Sequence, residues 1–243
     1  MSSKEQSKRV EKYFNDWARD YELVFEGIGR EKSIFHRLIN LLFRRKTFYL
    51  RNEHISRLLR NIGVKGKEVL DVGCGTGQLA IYIAQNDGFV TGLDISKEMI
   101  QICNMNAEKA GVKRKTQFHV YDCFQRELPK ADIVICIAVI EYYKDIDSFL
   151  QKLCLSARNI LILCDTRYIW WRAFLRKLLA TVKGFSVSYH KPTKVKAIAQ
   201  KSRMECIEEI ALHSFRTFVF RRSSLESQNT GTVENRSKWS NFF

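Results

Sequence analysis

The stretch Glu68-Val-Leu-Asp71-Val-Gly73-Cys74-Gly75-Thr-Gly77-Gln-Leu-Ala80 decides how this chain is read. A short apolar run ends in three glycines at alternate positions, and a helical pattern follows. Glycines at such a point let the backbone turn sharply and come close to a ligand. Asp94 ends the next apolar run, 23 positions beyond Asp71, where a carboxylate suits a ribose diol. A dinucleotide fingerprint would need a small residue where Gln78 stands. Asp71 would also repel a pyrophosphate, whereas it suits an ammonium group. No Gly-Lys-Ser/Thr follows the loop, which excludes a P-loop.

Outward from that loop the hydrophobic period alternates. Strands are expected at Glu68–Val72, Phe89–Leu93, Thr116–Tyr121, Asp132–Ala138 and Asn159–Cys164, with helices at Gly77–Asn86, Lys97–Ala110 and Asp147–Ala157. Alternating strands and helices imply βαβ units and a parallel sheet covered on both faces. Further helices are expected at Ile169–Lys183 and about Lys194–Ser202, then an antiparallel edge pair, Ile207–Leu212 and Thr217–Phe220. Upstream, residues 4–26 and about Ser33 to Ile62 carry helical stripes. The chain divides into an N-terminal helical cap (1–66), an α/β domain (67–222) and a disordered polar tail (223–243).

Of the 243 residues, 45% are apolar, enough for a sizeable core. The seven cysteines form no CxxC pair and mostly sit in apolar stretches, so they read as reduced buried thiols rather than disulfides or a metal site. No secretory signal or membrane-length apolar run is seen, and a cytoplasmic location is expected. The net charge of +15 is unevenly spread: +7 over residues 1–66, −2 over 67–166 and +10 over 167–222. The near-neutral middle carries the loop, and the basic flanks suit a negative substrate or surface.

Residues 68–143 resemble the class I S-adenosylmethionine-dependent methyltransferases. EVLDVGCGTGQLA is similar to their first motif, VTGLDISKEMI to the second, YDCF to the turn that contacts adenine, and ADIVICIAVIEYY to the fourth-strand motif. The resemblance implies a Rossmann-like α/β fold with a mostly parallel seven-stranded sheet, and S-adenosyl-L-methionine as cofactor. It places Asp71, Gly73, Cys74, Gly75 and Gly77 at the methionine end and Asp94 with Ile95 at the ribose. Asp122 and Cys123 would meet the adenine, and Ile137 and Ala138 would lie against the cofactor. YFNDWARDYELVFE resembles the N-terminal helix of quinone-biosynthesis and magnesium-protoporphyrin methyltransferases, making Tyr13, Trp17 and Tyr21 lid residues or plain packing residues.

Methyl transfer needs alignment above all, and an oxygen or amine acceptor needs its proton removed. Glu141 and Tyr142 follow the fourth strand, where relatives often carry an acid and a histidine. Tyr142 removes the histidine, and Glu141 is either a base or a residue that orients a loop. His190, in a loop-like stretch, is a further acceptor-side candidate. No metal ligands are expected. In the insertion Ile169–Lys183, Arg172, Arg176 and Lys183 fall within about 40° on a helical wheel, behind Trp170 and Trp171. That stripe reads as contact with an anionic membrane, as a solvated edge, or as a grip on an acidic substrate. Three functions stay open: O-methylation of a small or lipid-like molecule, RNA methylation, and cofactor binding without turnover. The missing Asn/Asp-Pro-Pro-aromatic and Pro-Cys motifs weigh against nucleic acid.

Overall fold

The computed structural model describes residues 3–26, 46–143, 145–182 and 184–223. Two N-terminal helices, α1 (Ser3–Glu26) and α2 (Lys46–Ile62), precede the sheet. Then β1 (Glu68–Val72), α3 (Gln78–Gln85), β2 (Phe89–Asp94), α4 (Lys97–Lys109), β3 (Thr116–Val120) and β4 (Ala131–Ile137) alternate. They are followed by α5 (Ile146–Ser156), β5 (Ala157–Thr166), α6 (Trp170–Val182), α7 (Pro192–Lys201), β6 (Met204–Leu212) and β7 (Phe215–Arg222). The seven strands form one sheet in the order β3-β2-β1-β4-β5-β7-β6. β1 to β5 are parallel, and β7 enters antiparallel between β5 and β6.

Every strand and helix expected from β1 onward is present, with ends shifted by a few residues. The largest extensions are at β5, β6 and β7, whose polar terminal residues pair in the ladder although they interrupt the apolar run. The first part of the expected second helix (residues 33–45) and the tail from 224 lie outside the described residues.

Period-two alternation splits the core across the sheet. On one face Leu70, Val134, Leu161, Leu163, Phe218 and Phe220 pack under α5 and α7. On the other, Val69, Ile133, Ile135, Ile162 and Val219 pack under α2 and α3. Local signals start the helices. Ser96 Oγ accepts from Met99 N at 3.1 Å to cap α4, Asp145 caps α5, and Pro192 opens α7.

The chain order reverses direction between β1 and β4. In open α/β sheets, the crevice beyond the carboxyl ends of such a strand pair is where ligands bind. A cluster of Val10, Tyr13, Phe14, Ile95, Tyr142, Ala180 and Phe185 lies over this end, joining α1 and α6 to the loops. Gln6 Nε2 donates to the carbonyls of Tyr142 (3.2 Å) and Ser186 (3.3 Å), so α1 is tied down by hydrogen bonds as well as apolar contact.

Phe218 is fully buried in the central antiparallel strand. Phe218→Ala is expected to cost about 3–5 kcal/mol. Ile207→Ala, on the partly exposed edge strand, should cost well under half of that. Urea melts of both variants check the ranking.

Candidate functional site

The turn after β1 is built on left-handed backbone. Gly73, Gly75 and Gly77 have φ of +75°, +55° and +79°. A Cβ at Gly73 would run into the Val139 side chain of the turn after β4, so these two loops approach as closely as glycine allows. At Gly75 a Cβ would meet nothing within 4 Å, which leaves that side of the loop open.

Asp94 fastens the loop from the neighbouring strand. Its Oδ2 accepts from Gly75 N at 2.9 Å and its Oδ1 from Ser96 N at 2.9 Å. The Cys103 thiol on α4 donates to Gly75 O at 3.0 Å, and Cys74 Sγ lies 3.8 Å from Cys103 Sγ. Asp71 is buried at the end of β1. Burial pushes its carboxyl up to about 7, with the Asp94 charge adding to the shift. Burial raises Asp94 to about 6, against the lowering effect of the Ser96 and Gly75 amides. The loop thus holds two adjacent carboxyls that a cation would return to the ionised form.

Further round the crevice, Asp122 Oδ1 accepts from Phe124 N at 2.9 Å, forming the turn after β3. Cys123 is buried there, its thiol raised to about 12 by desolvation. Ile137 ends β4 nearly buried, and Ala138 turns the chain in left-handed backbone at φ +57°. Ile95 follows Asp94 and packs under the α1 cluster. The side chains of Trp17 and Tyr21 lie outside the described residues. Tyr13 packs against Phe14 and Phe185.

The opposite wall gathers polar side chains. Glu141 is 2% exposed, in a short 3₁₀ turn (Ile140–Tyr142) after β4. Its Oε1 accepts from Thr166 Oγ1 at 2.6 Å and from both Arg176 Nη1 (3.3 Å) and Nη2 (3.2 Å). Its Oε2 is buried without a partner among the described residues. Arg176 Nη2 also donates to Tyr142 Oη at 3.3 Å. Burial opposes the guanidinium's charge, yet Tyr142 and Glu141 hold its pKa above the usual value. Burial raises the Tyr142 phenol. His190 Nε2 lies 3.3 Å from Ile140 O, and burial lowers the imidazole below its usual value. A carbonyl neighbour makes Nε2 the donor, so the neutral ring's lone pair is on Nδ1.

This wall corrects the reading of a basic surface stripe. Arg176 is turned inward, 28% exposed, and is bound to the turn after β4. Arg172 packs over the Trp171 ring, and Lys183 is outside the described residues. The helical wheel grouped Arg172, Arg176 and Lys183 on one side, of which Arg172 and Arg176 lie among the described residues. It gave no sign that Arg176 faces a buried acid in the turn after β4. Thr166, Asp165 and Arg216 were also missed. Arg216 pairs with Asp165 at 2.5 Å, and burial still raises Asp165 to about 7. The only available signal was two acid and hydroxyl residues closing an otherwise apolar strand.

A glycine loop at the β1 switch point, an acid closing β2 and an added antiparallel β7 define a class I methyltransferase fold. The methyltransferase domain family matches residues 64–235, and the chain belongs to it. The ubiquinone biosynthesis O-methyltransferase of Coxiella burnetii is 33% identical over 86 residues, 35% of this chain and 37% of that protein. The same enzyme of Vibrio campbellii is 39% identical over 84 residues, covering 34% and 36%. The chain thus spans little more than a third of these relatives' length. The magnesium protoporphyrin IX methyltransferase of Synechocystis PCC 6803, solved with bound S-adenosylhomocysteine, superposes with a TM-score of 0.70 at 23% identity, over 88% of this chain and 98% of that one. The cofactor of this family is S-adenosylmethionine.

Arg176→Met leaves Glu141 buried without its counter-charge and is expected to cost roughly 2–4 kcal/mol. Adding Glu141→Gln should recover part of the loss, because the uncompensated charge is removed. A double-mutant cycle from urea unfolding measures the coupling. Additive effects would show that the pair contributes nothing.

Proposed function

We propose that this protein transfers the methyl group of S-adenosylmethionine to an oxygen of a small, apolar, lipid-like acceptor. The observation that carries the reading is the pair of buried carboxyls, Asp71 and Asp94, on a left-handed glycine loop at the switch point. In this reading Asp71 faces the cofactor's ammonium, and Gly73, Cys74, Gly75 and Gly77 admit its methionine end. Asp94 and Ile95 meet the ribose, Asp122 and Cys123 the adenine, and Ile137 the reacting end. Tyr21, on α1, belongs to the cover over the cofactor.

The acceptor would enter under the aromatic roof of Tyr13, Phe14, Tyr142 and Phe185, whose apolar surface suits a ring or isoprenoid better than a nucleotide. His190 supplies the proton acceptor: its Nδ1 lone pair is free of the Ile140 contact, and its lowered pKa keeps the ring neutral near pH 7. Glu141 acts as a positioning residue, fixing Arg176 and, through it, the Tyr142 hydroxyl at the acceptor wall. The relatives named as O-methyltransferases support oxygen as the acceptor atom. Incubation with radiolabelled cofactor and separate lipid, metabolite and RNA fractions tests the acceptor class. Label should appear in the lipid or apolar metabolite fraction, and label in RNA alone would overturn the reading.

The two carboxyls fix a pH dependence. In the free protein Asp71 titrates at about 7 and Asp94 at about 6, both raised from the ordinary range. A bound ammonium favours the ionised form, so binding must release a proton below those values. Cofactor affinity is expected to rise as pH increases from about 5.5 to 7.5, by roughly 25-fold for the one Asp71 proton, and to level above about 8. Asp71→Asn should flatten the profile. Calorimetry in buffers of different ionisation enthalpy counts the proton, and an unchanged profile in the variant would place the ammonium elsewhere.

His190→Gln should lower turnover by about 10²-fold or more while leaving cofactor affinity within about twofold. For the native chain, kcat/KM should fall on the acid side with a midpoint below the usual histidine value, since burial lowers His190. A pH–rate profile of both proteins checks this: an acid limb that survives in the variant belongs to another group.

A further inference from the structure

Helix α6 is built inside out. At 100° per residue, Trp170, Phe174, Leu178, Val182 and Leu175 span an arc of about 140°. They are 74%, 66%, 52%, 78% and 49% exposed. Thr181 is the one polar residue within that arc. The opposite face carries Ala173, Ala180 and the charged Arg176, and it is this face that packs on the protein. A solvated amphipathic helix has the reverse arrangement, with apolar residues inward. Exposed apolar side chains this large and contiguous mark a surface that meets something else.

We infer that α6 is a membrane-docking helix that lies in the surface of an anionic phospholipid bilayer, with its Trp170–Val182 face in the acyl boundary. Three observations choose this occupant. The face is continuous and carries no charge, as insertion into hydrocarbon requires. Tyr168, Trp170 and Trp171 gather at its start, where amphipathic rings favour the headgroup level. Besides the inward-facing Arg176 the helix carries Arg172 and Lys177 and no acid, in a segment (167–222) of net charge +10. That charge complements an anionic leaflet. It opposes the pairing of two copies of a chain whose net charge is +15. Among the described residues no helix is long and apolar enough to cross a membrane, so the contact is one of lying on the surface.

The geometry differs from a basic stripe adhering by charge. Charge here draws the chain to the leaflet, and the apolar face supplies the hold. Because Arg176 reaches from the back of α6 to Glu141 and Tyr142, docking also brings the acceptor wall to the lipid surface. Delivery of an apolar acceptor from the bilayer rests on the acceptor site proposed above; docking itself does not.

Cosedimentation of the full chain with phosphatidylcholine vesicles, with and without about 30% phosphatidylglycerol, tests the inference. The native chain should bind the anionic vesicles, and raising salt to about 0.5 M should weaken binding only in part, since screening leaves apolar insertion intact. The triple variant Trp170→Ser/Phe174→Ser/Leu178→Ser should bind them about a hundredfold more weakly. Its S-adenosylmethionine affinity by calorimetry should stay native, which shows that the fold is kept and separates this test from the one for the cofactor site. Lysing of binding by salt alone, with the triple variant still binding as well as the native chain, would overturn the inference in favour of a charge contact. So would a native chain that ignores both vesicles. A native dimer that the triple variant splits, seen by sedimentation equilibrium, would assign the face to a second copy.

Discussion

Two backbone N–H groups on one carboxylate hold the centre of this molecule together. Asp94 takes Gly75 N with one oxygen and Ser96 N with the other. It thereby joins the turn after β1 to the start of α4. A glycine loop has many conformations to lose on folding, and this bidentate contact selects one of them. The loop's other neighbours depend on that choice: Val139 can approach Gly73, and the Cys103 thiol can reach Gly75 O, only in this shape. The selection has an electrostatic cost, because Asp94 and Asp71 are both buried near each other and both sit above their ordinary pKa. The free loop is thus rigid in shape and short of positive charge, which is the condition for a preorganised cation site.

The second wall works by the opposite arrangement. There the buried acid, Glu141, has its cation in Arg176, and the pair ties α6 to the turn after β4. One side of the crevice awaits charge from a ligand, while the other is neutralised from within. Such a division fits a cofactor that brings a cation and an acceptor that brings none.

How far the sequence disclosed this varies by residue. The strands read well because apolar runs of Val and Ile between helical periods leave few alternatives, and the loop read well because alternate glycines after a strand have few other uses. Asp71 and Asp94 could be named because spacing along a βαβ unit is fixed by the fold. The second wall was hidden for the converse reason. Glu141, Arg176, Asp165 and Arg216 come from four separate segments, and nothing local reports that they meet. A helical wheel shows which residues share a side of α6 but not which side faces the protein. The usual rule, apolar inward, pointed the wrong way for this helix.

The roof over the crevice joins distant parts of the described chain. Gln6 bonds to Ser186 across 180 positions, and Arg9 to Gly184 across 175. These contacts need α1 to wait for a loop made after five strands of the sheet. Long-range closures come late because their entropy is repaid only when the partner surface exists. The sheet and its glycine loop can therefore form first as an open crevice, and the same α1 that covers the finished site can be the last piece to settle.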